Sequence, residues 1–315
     1  MVCLYRPYQL GATAGRVPSG CGSAGNTVAP RGYPANRGTR APTACSSQCT
    51  GTKWRALAAA VLWVTAVGAD AASAAEWADS RVAGPFVCRA DFSLARVDPL
   101  LRDLARLQND LTTMLGLPAP REPIDIYLFH DRATYAHYLS RYLPSVPYRR
   151  ALYVKSQGPG EVLAYWSRDL EVDLRHECTH ALLHASLPWV PLWLDEGLAQ
   201  YFEVAPSQRS NGHRHLAAIQ ASLQREPPPP LVNLERRDNL TEMGRTEYRN
   251  AWAWTHFMIH GPVEARKTLV QYLHDLAAPH EAGFAALPGL LSVRLAQQFP
   301  DPEQRLAEHF RKWNR

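Results

Sequence analysis

Two histidines four residues apart, in an otherwise largely apolar stretch, constrain this chain more than any other feature. Residues 170–187 have the composition of a helix that ends at Pro188, and His176 and His180 both lie on it. In a helix, positions i and i+4 lie on one face, one turn apart. Because the surrounding Leu and Ala residues require burial, the stretch predicts a helix that carries two imidazoles into the interior.

The residue after the first histidine completes the pattern H-E-x-x-H. A zinc ion with bonds of about 2.0–2.1 Å to each ring nitrogen fits between His176 and His180. Glu177 is displaced round the helix from His176, so it flanks the metal without binding it. It is therefore the candidate catalytic base, which would take a proton from zinc-activated water.

A second segment, PLWLDEGLAQYFE at residues 191–203, follows a proline-containing turn. Catalytic zinc sites use three protein ligands plus water, so two histidines leave the ion under-ligated. Glu196 lies 16 positions after His180, which is enough chain for a second helix to return beside the first.

H-E-x-x-H followed by W-L-x-E-G-x-A-x-Y resembles the gluzincin metallopeptidases, and within them the secreted bacterial group described as peptidase MA-like. The resemblance covers about residues 120–275. It implies a zincin-like fold and one Zn²⁺ ion, with Glu196 as the third ligand beside His176 and His180.

Other candidates for the third ligand are weaker. His184 continues the same face, but eight residues of helix separate it by roughly 12 Å from His176. A metzincin-type site would need a third histidine at position 186, which is Ser186. Cys178 points to the opposite side of the helix and is expected in the core, and Asp195 is expected to point away from the metal.

Two further residues have a functional and a structural interpretation of similar weight. Glu203 lies seven positions after Glu196 and either orients a ligand histidine or is a solvated carboxylate at a helix end. Tyr248 opens a Y-x-x-A segment that resembles the oxyanion-stabilising tyrosine of gluzincin aminopeptidases, or it simply packs. His256 and His260, further along that helix, are expected to be structural.

One motif of the aminopeptidases is absent. Nothing between Leu115 and His176 resembles their G-x-M-E-N segment, whose glutamate holds the free amine of the substrate. An endopeptidase is the class expected, although the sequence leaves endo- and exopeptidase modes open. Residues 162–166 are either the edge strand along which an extended substrate lies or an ordinary core strand, which is somewhat favoured.

The coarse pattern of the chain from about Phe86 is α+β. Leucines at helical spacing predict a helix over residues 97–115, and beyond Asp169 the pattern is mostly helical. A glycine- and proline-containing turn joins two of the predicted strands into a hairpin, and four prolines at 227–230 form an extended connector. The resulting prediction is a small, mainly antiparallel sheet followed by helices, with strands at 124–129, 151–154 and 162–166 and a short helix at 132–142.

Charge and cysteine are distributed unevenly. Residues 1–75 hold seven of the 34 basic residues and one of the 29 acidic ones, so the remainder carries 27 basic and 28 acidic side chains. A nearly neutral domain gives no electrostatic reason to expect a nucleic-acid partner. Only Cys88 and Cys178 follow the N-terminal stretch, and whether they pair is left open.

The N-terminal region reads as a targeting segment. Residues 1–52 are rich in Gly, Pro, Ser, Thr and Arg, which predicts a disordered extension or a start site placed too far upstream. Residues 53–75 have the basic, apolar and small-residue order of a signal peptide. Export to the periplasm, the cell surface or the medium is expected, without stable membrane insertion unless the signal stays uncleaved as an anchor.

Together these features predict an exported zinc metallopeptidase that occupies residues 76–315 and acts on peptides or proteins. The alternative is an exported zinc-binding domain that is catalytically silent and serves as an interaction scaffold. Retention of Glu177 beside a complete ligand set favours the enzyme.

Overall fold

The computed structural model describes residues 4–5, 77–155, 158–278 and 289–313. These belong to one of the two units into which the chain divides, the unit of residues 1–7 and 74–315. The predictions for residues 1–52 and 53–75 therefore lie, apart from Leu4 and Tyr5, outside the described residues. Within that described part, no helix is long and apolar enough to cross a membrane.

Six strands form one sheet with the order β1-β5-β6-β4-β3-β2. Their bounds are β1 Leu4–Tyr5, β2 Asp79–Ala83, β3 Phe86–Ala90, β4 Ile124–Phe129, β5 Ala151–Lys155 and β6 Glu161–Tyr165. β2 pairs with β3 and β5 with β6 in antiparallel fashion, whereas β3–β4, β4–β6 and β1–β5 are parallel.

The α+β class is confirmed, but the prediction of a mainly antiparallel sheet is wrong because the sheet is mixed. Helix α1 (Asp98–Leu115) connects β3 to β4 and returns the chain to the starting end of the sheet, which makes these two strands parallel. Helix α2 (Arg132–Tyr142) leads from β4 to β5, which runs antiparallel to β6, and β6 lies parallel to β4. β2 and β3 were not predicted, and β2 has no buried residue to mark it as a strand.

The predicted hairpin is confirmed by the antiparallel pairing of β5 and β6, in which Ala151 faces Ala164 and Val154 faces Glu161. The alternative that residues 162–166 form an edge strand is wrong, because β6 lies between β5 and β4. Its central residues, Val162, Leu163 and Ala164, are buried. β6 is therefore a core strand.

The predicted helices are also confirmed. α1 buries the leucine stripe and ends at Gly116, whose φ of 71° lies in the left-handed region that favours glycine. α3 (Leu170–Ser186) carries both histidines and is followed by α4 (Leu192–Phe202). The remaining helices are α5 His215–Ser222, α6 Leu231–Glu235, α7 Arg245–His260, α8 Val263–Ala277, α9 Leu291–Gln298 and α10 Pro302–Lys312.

Three helices determine where the site can form. α3 packs on β5 and β6, and α4 lies between α3 and α7. Fully buried Trp193 from α4 and Trp252 and Trp254 from α7 belong to the same hydrophobic core. Because α4 is covered on both sides, polar side chains directed from it toward α3 are removed from water.

The close approach of α4 to α7 depends on Gly197. A Cβ at this position would lie 2.5 Å from Thr255 Oγ1 and 2.7 Å from the backbone oxygen of Ala251. We expect Gly197→Ala to lower the free energy of unfolding by about 1–3 kcal/mol, because the helices must move apart. Urea denaturation measures this change.

Gly158→Ala is the matched control, since a Cβ there would meet nothing within 4 Å. Its free energy of unfolding should stay within about 1 kcal/mol of the parent value. Equal stabilities of the two variants would contradict the close packing of α4 on α7.

Candidate metal centre

The two histidines of H-E-x-x-H direct the same ring atom toward each other. His176 Nε2 and His180 Nε2 lie 3.1 Å apart, and both side chains are fully buried. The i, i+4 spacing on α3 accounts for this arrangement, since both rings leave one face of the helix.

α4 brings a carboxylate to the same point. Glu196 Oε2 lies 3.6 Å from His176 Nε2 and 3.9 Å from His180 Nε2. Glu196 is fully buried, and neither of its oxygens has a hydrogen-bond partner in the described part of the chain. A buried carboxylate without a partner carries a large free-energy cost, so this side chain is poised for a cation. The structure thus brings together His176, His180 and Glu196.

The second nitrogen of His176 is bound by Glu203. Nδ1 lies 3.0 Å from Glu203 Oε2, while Glu203 Oε1 lies 3.2 Å from both His213 Nε2 and an Arg214 nitrogen. An ionised carboxylate only accepts hydrogen bonds, so Nδ1 carries a hydrogen and Nε2 is the ring nitrogen that faces Glu196. Of the two interpretations of Glu203, the structure therefore places it beside the histidine, 1% exposed, and not in solvent.

Asp195 does the same for His180, and the expectation that it points away is wrong. Its Oδ1 lies 2.9 Å from His180 Nδ1, and its Oδ2 lies 3.0 Å from His184 Nε2. α4 packs against α3 closely enough for two consecutive residues, Asp195 and Glu196, to reach it. The spacing of His180 and His184 by one helical turn was the sequence signal for a shared partner.

Both orienting carboxylates stay ionised. Burial tends to raise the pKa of Asp195, but the charges and hydrogen bonds of His180 and His184 outweigh it and lower that pKa. Burial likewise opposes ionisation of Glu203, and hydrogen bonds from His176 and His213 lower its pKa overall. Each charge therefore stabilises a neighbouring imidazole in its orientation.

A proton and a metal ion compete for His176. Burial tends to lower the pKa of His176, but the neighbouring carboxylates of Glu196 and Glu203 raise it to about 10. Because only a neutral imidazole can ligate a metal, binding would release this proton.

Glu177 follows His176 on α3 and lies beside this cluster. It is fully buried, and neither carboxylate oxygen has a hydrogen-bond partner among the described residues. Burial raises its pKa, which His176 and His180 only partly counteract. A raised pKa makes this carboxylate a better proton acceptor than an exposed glutamate.

Tyr248 lies in the first turn of α7 and is partly buried. Burial raises the pKa of its hydroxyl, and the charge of Glu196 and, to a smaller degree, that of Glu177 raise it further. The hydroxyl therefore stays protonated and can donate. Tyr248 also lines a cavity of about 430 Å³.

No family model matches this chain, and no curated protein matches it. The resemblance to the gluzincins therefore depends on the two motifs and on the side chains that they bring together. The activity that these residues support is argued below as a proposal.

The remaining histidines of α7 make contacts away from the metal-capable cluster. His256 Nδ1 lies 3.0 Å from His309 Nε2 of α10, and His256 Nε2 lies 2.9 Å from the backbone oxygen of Ser210. His260 Nε2 lies 2.7 Å from the hydroxyl of Tyr201. These contacts join α7 to its neighbours, which agrees with the structural role expected for both.

The two downstream cysteines are free and fully buried. Burial raises the pKa of Cys88 to about 12 and raises that of Cys178 well above its ordinary value. Both are therefore neutral thiols, and Cys178 lies in the core of α3 as expected.

Proposed function

We propose that this chain is a zinc-dependent endopeptidase with a zincin-like arrangement of its H-E-x-x-H helix. The observation that carries the proposal is the convergence of His176, His180 and Glu196. Their ligand atoms lie within 4.8 Å of one another in a buried position. Glu177, the candidate base, follows the first of them on the same helix.

The donor set fits zinc. Two imidazole nitrogens and one carboxylate oxygen are ligands that zinc accepts, and three protein ligands leave a fourth position open. Both rings have the other nitrogen bound to a carboxylate, which is typical of histidines that hold a metal. The unpartnered oxygens of Glu196 give this fit an independent support, since a cation there would remove the cost of burying that charge.

When bound, zinc supplies a Lewis acid that polarises a carbonyl group and brings the pKa of a coordinated water close to 7. Glu177 Oε atoms accept the proton of the attacking water and return it to the leaving amine. Burial keeps this carboxyl away from competing hydrogen bonds, and its raised pKa reduces the cost of holding the proton between the two steps.

Tyr248 provides the hydrogen-bond donor for the developing oxyanion. Its hydroxyl stays protonated beside the carboxylates, so it donates and does not add negative charge.

We also propose that the enzyme is exported, on the basis of the signal-like residues 53–75.

Metal analysis with cleavage-site profiling of the purified protein tests this function. We expect one zinc ion per chain and hydrolysis of internal bonds in a peptide pool, with loss of hydrolysis after chelation. A protein that binds zinc and cleaves no peptide would instead be the silent scaffold. A protein that binds no divalent metal would refute both.

The carboxylate of Asp195 should matter for zinc affinity although it does not reach the centre. We expect Asp195→Asn to weaken zinc binding by roughly 10–100-fold, because His180 loses the charge that orients it and raises its basicity. Competition with a chromophoric chelator measures the dissociation constant.

Asp173→Asn, on α3, is the matched control. Asp173 is also buried, but its carboxylate contacts Arg150 and no histidine. Zinc affinity within about threefold of the parent is expected. Equal losses in both variants would mean that Asp195 acts through stability alone.

A further inference from the structure

A cavity of about 430 Å³ opens beside the proposed metal centre, and its charged lining is entirely basic. Arg214, Arg245 and Arg249 line it, and among the residues that the structure describes no acidic one does. The other lining residues are Gln200, His215, Ala218 and Tyr248. A hollow with three guanidinium groups and no carboxylate favours an anionic occupant.

Two of the three arginines have no carboxylate partner. Arg214 forms an ion pair of 3.2 Å with Glu203. Arg245 and Arg249 form no ion pair with any described residue, and Arg249 Nε is buried without a hydrogen-bond partner there. An unpartnered buried N–H of a charged group costs free energy that a bound anion would recover.

Glu203 and Glu247, two carboxylates close to these arginines, have other partners. Glu203 is almost fully buried and binds His176 and His213 in addition to Arg214. Glu247 turns back to accept a hydrogen bond of 3.0 Å from the backbone nitrogen of Gly244 at the start of α7. Gln200 accepts at 2.6 Å from His215 Nε2, so this pair is satisfied without a charge. The excess positive charge of the cavity therefore persists in the folded protein.

The cavity also adjoins the proposed reaction centre. Gln200 lies one helical turn after Glu196 on α4, and Arg214 contacts the carboxylate that holds His176. Tyr248 forms part of its wall and lies on α7, which packs against the helix that carries Glu196. An occupant would thus lie next to the bond that is cleaved.

We propose that this cavity binds a carboxylate of the peptide substrate adjacent to the scissile bond, which makes the enzyme selective for acidic peptides. The proposal rests on the proposed peptidase function. Guanidinium groups match the planar, two-oxygen geometry of a carboxylate, and Arg249 with Arg245 on one face of α7 can present such donors. The carboxylate comes either from an Asp or Glu side chain or from the C-terminus of the peptide.

Alanine-rich octapeptides test the proposal, with a single Glu or Gln moved along the chain and the C-terminus either free or amidated. With the zinc-loaded parent, we expect kcat/KM to be at least about tenfold higher for Glu than for Gln at one position relative to the cleaved bond. If the C-terminal carboxylate is the ligand, amidation lowers kcat/KM instead, and cleavage lies at a constant distance from that end.

Two variants connect the preference to the cavity. Arg249→Gln and Arg245→Gln should each reduce the ratio of kcat/KM between the acidic and neutral peptides to about threefold or less. Arg245 is exposed, so its substitution leaves the core intact. Arg225→Gln removes an exposed arginine that does not line the cavity, and it should keep the parental ratio.

A binding measurement separates this proposal from catalysis. Fluorescein-labelled forms of the same Glu and Gln octapeptides are titrated into zinc-loaded Glu177→Gln protein, and fluorescence anisotropy should show the same preference. Equal kcat/KM for the Glu and Gln peptides, together with no effect of C-terminal amidation, would overturn carboxylate binding in the cavity and leave the peptidase function standing. Absence of any hydrolysis in the parent would overturn both.

Discussion

Glu177→Gln is expected to bind zinc as tightly as the parent and to hydrolyse peptides about 10²–10⁴-fold more slowly. The amide cannot accept the proton of the attacking water, and loss of a positioned general base costs a factor of this size. The zinc ligands are untouched, so the stoichiometry should stay at one ion per chain. Metal analysis and kcat/KM on the best peptide of the profiled pool measure the two quantities.

The same substitution should not destabilise the protein. Glu177 is fully buried, and both oxygens lack hydrogen-bond partners among the described residues, so its ionised form is expensive to bury. An amide of nearly the same shape removes that charge. A free energy of unfolding at least equal to the parent value would show that the carboxylate is retained for chemistry and not for the fold.

Glu171→Gln provides the matched control for the activity measurement. Glu171 lies on the same helix, but its side chain is 69% exposed and contacts Arg175 at the surface. Its kcat/KM should stay within about twofold of the parent value. Hydrolysis by Glu177→Gln at the parental rate would remove Glu177 from the mechanism.

Glu196→Ala should weaken zinc binding more than substitution of any residue that orients a ligand histidine. Two imidazoles alone leave the ion with too few protein ligands, so we expect the affinity to fall by more than the roughly 10–100-fold typical of an orienting partner. Chelator competition measures the dissociation constant. Circular dichroism of the metal-free variant checks that α3 and α4 remain folded.

Gln200→Ala tests whether this loss is specific. Gln200 lies one turn further along α4, is also buried, and contacts His215 away from the metal-capable cluster. Its zinc affinity should remain within about threefold of the parent value. Equal zinc binding by Glu196→Ala and the parent would exclude Glu196 as a ligand and with it the proposed centre.

The buried carboxyl groups of the site differ in whether they are hydrogen-bonded. Glu177 and Glu196 are buried carboxyl groups whose oxygens have no hydrogen-bond partner among the described residues, whereas Asp195 and Glu203 each contact two histidines. The fold thus provides hydrogen bonds for the carboxylates that orient the histidines. It provides none for the carboxylates that would contact the metal ion and the attacking water. Local violations of this kind are expected at functional sites.

Local patterns in the sequence were sufficient for several elements. The leucine spacing of α1, the hairpin of β5 and β6, and the i, i+4 position of His176 and His180 on α3 each depend on residues close together in the chain. Period and turn chemistry report such short-range structure directly. The same patterns placed Glu196 on a second helix, close enough along the chain to return.

Other features depended on how distant segments pack. The direction of the strands in the sheet, the central position of β6, the contact of Asp195 with His180 and the basic cavity between α4, α5 and α7 all depend on how separate elements pack together. The hydrophobic pattern of α4 does not indicate which of its faces contacts α3, because other elements cover the helix on both sides and nearly all of its residues are buried. The motifs of the chain indicate which side chains could form the centre. Which carboxylates hold the histidines, and where unpaired positive charge remains, depends on distances between side chains that exist only after the helices have packed.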